Sequence, residues 1–62
     1  MTKIRVIVEY DPTGDGWESW ASFEEQPDGS FIDNDNDVVA TILPDFSKFL
    51  ATELEFVREQ RS

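Results

Sequence analysis

The sequence predicts an α+β domain: an antiparallel sheet of three to four strands with one C-terminal helix packed on one face. Three observations carry that expectation. Apolar and polar residues alternate over residues 3–10 and again over 17–25, the period of a half-buried strand. Clusters of Gly, Pro, Asn and Asp separate the alternating runs, as turns require. From Asp45 onward the apolar residues change to helical spacing. The chain of 62 residues forms a single compact domain over 1–62 on this reading.

In the first run Ile4, Val6, Val8 and Tyr10 share one face, while Lys3, Arg5, Ile7 and Glu9 share the other. Asp11-Pro-Thr-Gly-Asp-Gly16 is a loop. In the second run Trp17, Ala21 and Phe23 are expected inward, with Glu18, Trp20, Ser22 and Glu24 outward. A hairpin that sets Tyr10 opposite Trp17 also sets Val6 opposite Ala21 and Ile4 opposite Phe23, so that the apolar faces coincide and fix the register. That register opposes Glu9 to Glu18 and Ile7 to Trp20 on the outer face.

Pro27-Asp28-Gly29 is a turn, with Pro presetting φ and Gly accepting a positive one. Residues 30–33 form a short third strand, and residues 33–37, Asp-Asn-Asp-Asn-Asp, form a polar turn. Residues 38–43 read either as strand or as helix. Their β-branched content, and Pro44 biasing Leu43 toward extended geometry, favour strand. The helix then starts with Asp45 as its N-cap. Phe46, Phe49, Leu50, Leu54 and Val57 form its apolar stripe, Phe56 lies off that stripe, and Glu53, Glu55 and Glu59 lie outward. Arg58 and Arg61 suit the negative end of the helix dipole.

Composition narrows the function. There is no cysteine and no histidine, which removes disulfides, thiolate metal sites and the commonest general base. The expectation is a non-enzymatic protein without cofactor or metal. Asp33, Asp35 and Asp37 match the opening of an EF-hand loop, but Val38 and Pro44 stand where that loop needs glycine and a bidentate glutamate. No apolar run approaches a membrane span, and the first residues lead directly into a strand without the pattern of a signal peptide. A cytoplasmic protein with no membrane association is expected. A domain this small has little stability in reserve, and a homodimer is one way of adding to it.

The charge distribution is the strongest functional signal. Residues 6–47 contain eleven acids and no Lys or Arg. The formal charge of −9 lies entirely in that block, since residues 1–5 contribute +2 and residues 48–62 are balanced. Unopposed acids repel one another across a folded domain. They also argue against direct binding to nucleic acid. A basic nucleic-acid-binding protein or complex is the partner such a surface fits. Alternate residues on a strand lie about 6.6–6.8 Å apart, close to two steps along a nucleic-acid strand, so strand carboxylates reproduce a phosphate-like spacing. The candidate partner-binding residues are Glu9, Asp11, Asp15, Glu18, Trp20, Glu24, Glu25, Asp28, Asp33, Asp35 and Asp37. Trp20 reads equally as a cross-strand packing partner and as an aromatic interface anchor in an acidic surround, and it is included on the second reading.

In size, charge and lack of cysteine the whole chain resembles the very small acidic inhibitors made by bacteriophages, including anti-CRISPR proteins and other DNA mimics. No shared motif carries residue roles across. That resemblance implies competition for a nucleic-acid-binding surface of a host defence complex or nuclease, in the host cytoplasm. The run from Ile4 to Tyr10, the loop Asp11-Pro-Thr-Gly-Asp-Gly-Trp17, a second strand and a later helix also resemble the opening of HicB-like antitoxins. The Leu-Pro-Gly type turn of that family is replaced by Pro27-Asp28-Gly29. This second resemblance implies neutralisation of a basic RNase toxin; an acidic interaction subunit of unknown role is the remaining alternative.

Overall fold

The computed structural model describes residues 2–60. Four antiparallel strands, β1 (Arg5–Tyr10), β2 (Glu18–Glu25), β3 (Phe31–Asp33) and β4 (Val38–Ala40), precede one helix, α1 (Leu43–Glu59). The strands form a meander in the order β1-β2-β3-β4, so that β1 and β4 are the edges. The chain is thus α+β, with four strands and a C-terminal helix contacting the sheet.

Local chemistry closes each turn. The Gln26–Ser30 turn is held by a Gln26 N–H donating to the Ser30 carbonyl at 2.7 Å and a Gly29 N–H donating to the Gln26 carbonyl at 2.9 Å. Gly29 has φ of 91°, which a side chain would resist. In the β3–β4 turn the Asn36 N–H donates to the Asp33 carbonyl at 3.1 Å. Asn36 has φ of 66°, a conformation that asparagine tolerates better than most residues.

One face of the sheet is covered by α1. Val8, Phe23, Phe31 and Ala40 are buried there with Phe46 and Val57 of the helix. Phe31 stacks on Phe46 with ring centroids 4.1 Å apart. Phe23 meets Phe46 and Phe49 edge-on at 5.6 and 5.5 Å. Phe56 is exposed, as its position off the stripe predicts, but Leu54 is also half exposed.

The hairpin register departs from the sequence reading. Val6 pairs with Phe23 and Val8 with Ala21, two residues away from the expected alignment. Beyond Val8 the register shifts, so that Glu9 faces Ser19 and Tyr10 faces Glu18, leaving Trp20 as an extra residue in β2. Glu9 and Glu18 are therefore not directly opposed. The bulge breaks period-two alternation and exchanges the two tryptophans. Trp20, expected outward, turns to the helix side, where it meets Tyr10 edge-on at 5.4 Å. Its indole N–H donates to Glu53 Oε2 at 3.2 Å, so Glu53 is not simply an outward residue of the helix. Trp17, expected in the core, is 73% exposed.

The helix also starts earlier than the sequence predicts. Residues 38–40 are strand, but the helix begins at Leu43 with Ile42 at the N-cap and no side-chain cap. Pro44 lies in the first turn, where its missing N–H has no intrahelical partner to lose. It opens the helix and does not end a strand. Asp45 sits inside the first turn and Arg58 in the last, both placed favourably for the dipole. Arg61 lies outside the described residues.

The exchange of tryptophans has a measurable consequence. Trp20→Ala removes a packed ring and leaves Glu53 without its donor, at a cost of about 2 kcal/mol or more. Trp17→Ala changes stability by no more than about 0.5 kcal/mol. Urea denaturation of the two variants beside the parent checks the order, and equal losses would contradict the packing described.

Candidate functional site

The candidate acids do not form one patch. Because the sheet is a meander, the β1–β2 loop and the β3–β4 turn emerge toward the same end. They stand at different heights. Asp33 is in register with Phe23, and β2 continues from there to Glu18, a further five residues or about 16 Å. Glu9, Asp11, Asp15 and Glu18 therefore belong to the projecting hairpin end, while Asp33, Asp35 and Asp37 belong to a turn partway along it. Glu25 and Asp28 lie toward the opposite end, near the β2–β3 turn.

Several of these carboxylates have structural duties. Asp11 accepts the Gly14 N–H within its loop. Asp33 Oδ1 accepts the backbone N–H groups of Asp35 at 2.9 Å and Asp37 at 3.0 Å. The Asp-x-Asp-x-Asp run is thus an Asx-type turn, with its first carboxylate folded onto its own backbone. Among the described residues, no group of three potential metal ligands is gathered. Asp28 Oδ1 accepts both the backbone N–H of Ser30 at 3.0 Å and its hydroxyl at 2.6 Å. These bonds hold the Asp28 carboxyl below its usual range, the hydroxyl bond contributing most. Ser30 itself is buried, so the contact satisfies a hydroxyl that would otherwise be stranded.

The helix-free face of the sheet is mixed in charge. Arg5 Nη2 lies 3.3 Å from Glu24 Oε2, across directly paired positions. A shallow groove beside them is lined by Ile7, Ser22, Ile32, Asp33 and Asn36. Glu24 is therefore partly neutralised. Glu25 and Asp33 stand in register with the core residues Phe31 and Phe23, and both are half-buried. Among the described residues, no side-chain hydrogen bond or ion pair engages the carboxylates of Glu9, Asp15, Glu18, Asp35 or Asp37. These five are exposed.

Trp20 does not belong to the exposed site, since it is occupied by Tyr10 and Glu53. The exposed aromatic is Trp17. It borders a hollow with Asp11 and Tyr10 from the hairpin and Leu54, Val57 and Arg58 from the helix. Its position after Gly16, at the mouth of a loop, is the signal that could have identified it, because alternation is weakest where a strand ends. No helix among the described residues is long and apolar enough to cross a membrane. Comparison with known protein families, curated proteins and solved structures finds no match.

The Asp28–Ser30 contact sets a pH dependence. A carboxyl whose folded pKa lies below its unfolded value of about 3.9 stabilises the fold above that pH, and the contribution disappears as pH falls through the folded value. Ser30→Ala should therefore melt below the parent at neutral pH, and the gap should narrow as pH falls below about 3.9. Thermal melts over a pH series check this. A gap independent of pH would mean that packing at Ser30, not its bond to Asp28, stabilises the turn.

Proposed function

We propose that the protein is a non-enzymatic acidic inhibitor that occupies the nucleic-acid-binding surface of a basic protein or complex. The observation that carries this reading is the set of exposed, unengaged carboxylates Glu9, Asp15, Glu18, Asp35 and Asp37, in a block with no Lys or Arg of its own. A fold gains nothing from keeping such acids unpaired, whereas a surface built to hold phosphates supplies cations at similar spacing. Trp17, exposed beside Asp11, takes the role of aromatic anchor, a residue type that dominates interface energetics when its surroundings are desolvated. The bacteriophage inhibitors that the chain resembles in size and charge act on surfaces of this kind. An antitoxin covering a basic RNase would draw on the same electrostatics, and inhibition of RNA cleavage by the captured partner would identify that case.

The test begins with a nuclease-treated host lysate, from which the basic protein retained by the immobilised chain is isolated and titrated. Binding weakens as salt rises through the physiological range, because exposed charges are screened beyond about 8 Å. The nucleic acid that the partner normally holds displaces the chain. Asp15→Lys and Asp35→Lys each weaken binding by up to roughly fivefold without lowering the melting temperature. A complex that survives saturating nucleic acid would overturn direct competition.

A further inference from the structure

We infer that the protein self-associates through the free edge of β1, pairing antiparallel with β1 of a second copy about a two-fold axis at Ile7. β1 is an edge strand of six residues, and the bulge of this hairpin lies in β2, leaving β1 regular throughout. It contains no proline. It thus lacks the bulge and the proline that commonly blunt exposed edges. The other edge, β4, has only three residues.

The direction of the backbone groups can be assigned. The Ile4 carbonyl accepts the Glu25 N–H at 2.9 Å, so Ile4 faces β2. In an antiparallel ladder, residues alternate between pointing both backbone groups at one neighbour and pointing both away. Val6 and Val8 accordingly face β2, and Arg5, Ile7 and Glu9 present N–H and C=O groups to the open edge. A two-fold axis at Ile7 brings these same three residues into hydrogen-bonded pairs, using every outward-pointing group of the strand.

The side chains are complementary in the same register. Arg5 falls opposite the partner's Glu9, Ile7 opposite the partner's Ile7, and Lys3 opposite the partner's Asp11. Ile7 is 61% exposed in the single chain, and pairing covers it. On the helix side Val6 meets the partner's Val8, and Ile4, also exposed, meets the partner's Tyr10. Other arrangements match less well: an axis at Val6 sets Arg5 against the partner's Ile7, and an axis at Val8 sets Glu9 against it. A two-fold axis at Arg5 or at Glu9 opposes like charges, and so does parallel in-register pairing. Directly opposed like charges are unfavourable. The interface is isologous, the form that most soluble homodimers take.

Sedimentation equilibrium of the purified chain alone, from micromolar to millimolar concentration, tests the inference independently of any inhibitory partner. The parent should show a monomer–dimer equilibrium. Glu9→Arg, at an exposed position facing Ser19, should weaken the dimer by roughly tenfold or more, as two opposite-charge pairs become like-charge pairs. Arg5→Glu should do the same. An equimolar mixture of the two variants should recover association, because each then supplies the charges that the other lacks. Arg5→Glu also removes the contact with Glu24. If circular dichroism shows that it fails to fold, Ile7→Lys, which places two cations at the axis, gives an independent reading by abolishing the dimer. A parent that stays monomeric throughout, or a dimer indifferent to Glu9→Arg and Ile7→Lys, would overturn the proposal. A mixture of folded variants that stays monomeric would refute the register.

Discussion

The stacking of Phe31 on Phe46 is the contact on which the rest of this small domain depends. Phe31 is 1% exposed and Phe46 3%, and their rings lie nearly parallel, 6° apart. Phe31 belongs to a three-residue strand that has little ladder of its own. Without a large ring on the helix to meet it, that strand would contribute almost nothing to the core. Phe23 extends the contact into β2 through Phe46 and Phe49, tying the long hairpin to the short one. A single aromatic cluster thus joins all the layers, which is how a chain without disulfides holds a block of mutually repelling acids in place. The remaining core residues, Val8, Ala40 and Val57, fill space around it.

The acids are distributed so that their repulsion falls where it costs least. Asp28 and Asp33 are bound to backbone N–H groups of their own turns, turning a charge into a turn-forming device. Glu24 lies against Arg5, and Glu53 accepts from Trp20. The carboxylates that remain unengaged are on loops, strand ends and the outer sheet face, where high dielectric screens them.

Much of this architecture is legible in the sequence, and the failures have identifiable causes. The strand at Arg5–Tyr10, the turn at Asp28-Gly29 and the helix stripe through Phe46, Phe49, Leu50 and Val57 follow from period and turn chemistry alone. Trp17 and Trp20 could not be placed that way, because one bulged residue inverts a period-two reading from that point on. The bulge is stabilised by partners distant in sequence, above all Glu53 on the helix. Pro44 misleads for a different reason. A proline biases the residue before it toward extended geometry, yet it also suits the first turn of a helix, where its missing N–H costs nothing; at Leu43 the helix overrides the bias. For the candidate site, the sequence identifies the acids but not their duties, since whether an aspartate points to solvent or folds onto its own turn is decided by one or two torsion angles.

Edge pairing and the acidic surface bear on one another through charge. In the β1-paired dimer Lys3 falls opposite the partner's Asp11, and Arg5 lies between its own Glu24 and the partner's Glu9. The acids left exposed, from Asp15 to Asp37, then face solvent with still fewer cations among them. Antiparallel pairing also places the two hairpin ends far apart, so that such a dimer carries two acidic ends and two exposed Trp17 side chains. The two associations differ in their response to ionic strength. A chain of charge −9 approaching its own copy meets a repulsion that extends well beyond the few local pairs at the interface, and salt removes the long-range term first. Pairing of copies is therefore favoured by screening, whereas docking on a basic surface is opposed by it. On the two proposals together, low ionic strength would favour docking on a cationic surface and higher ionic strength would favour pairing of copies.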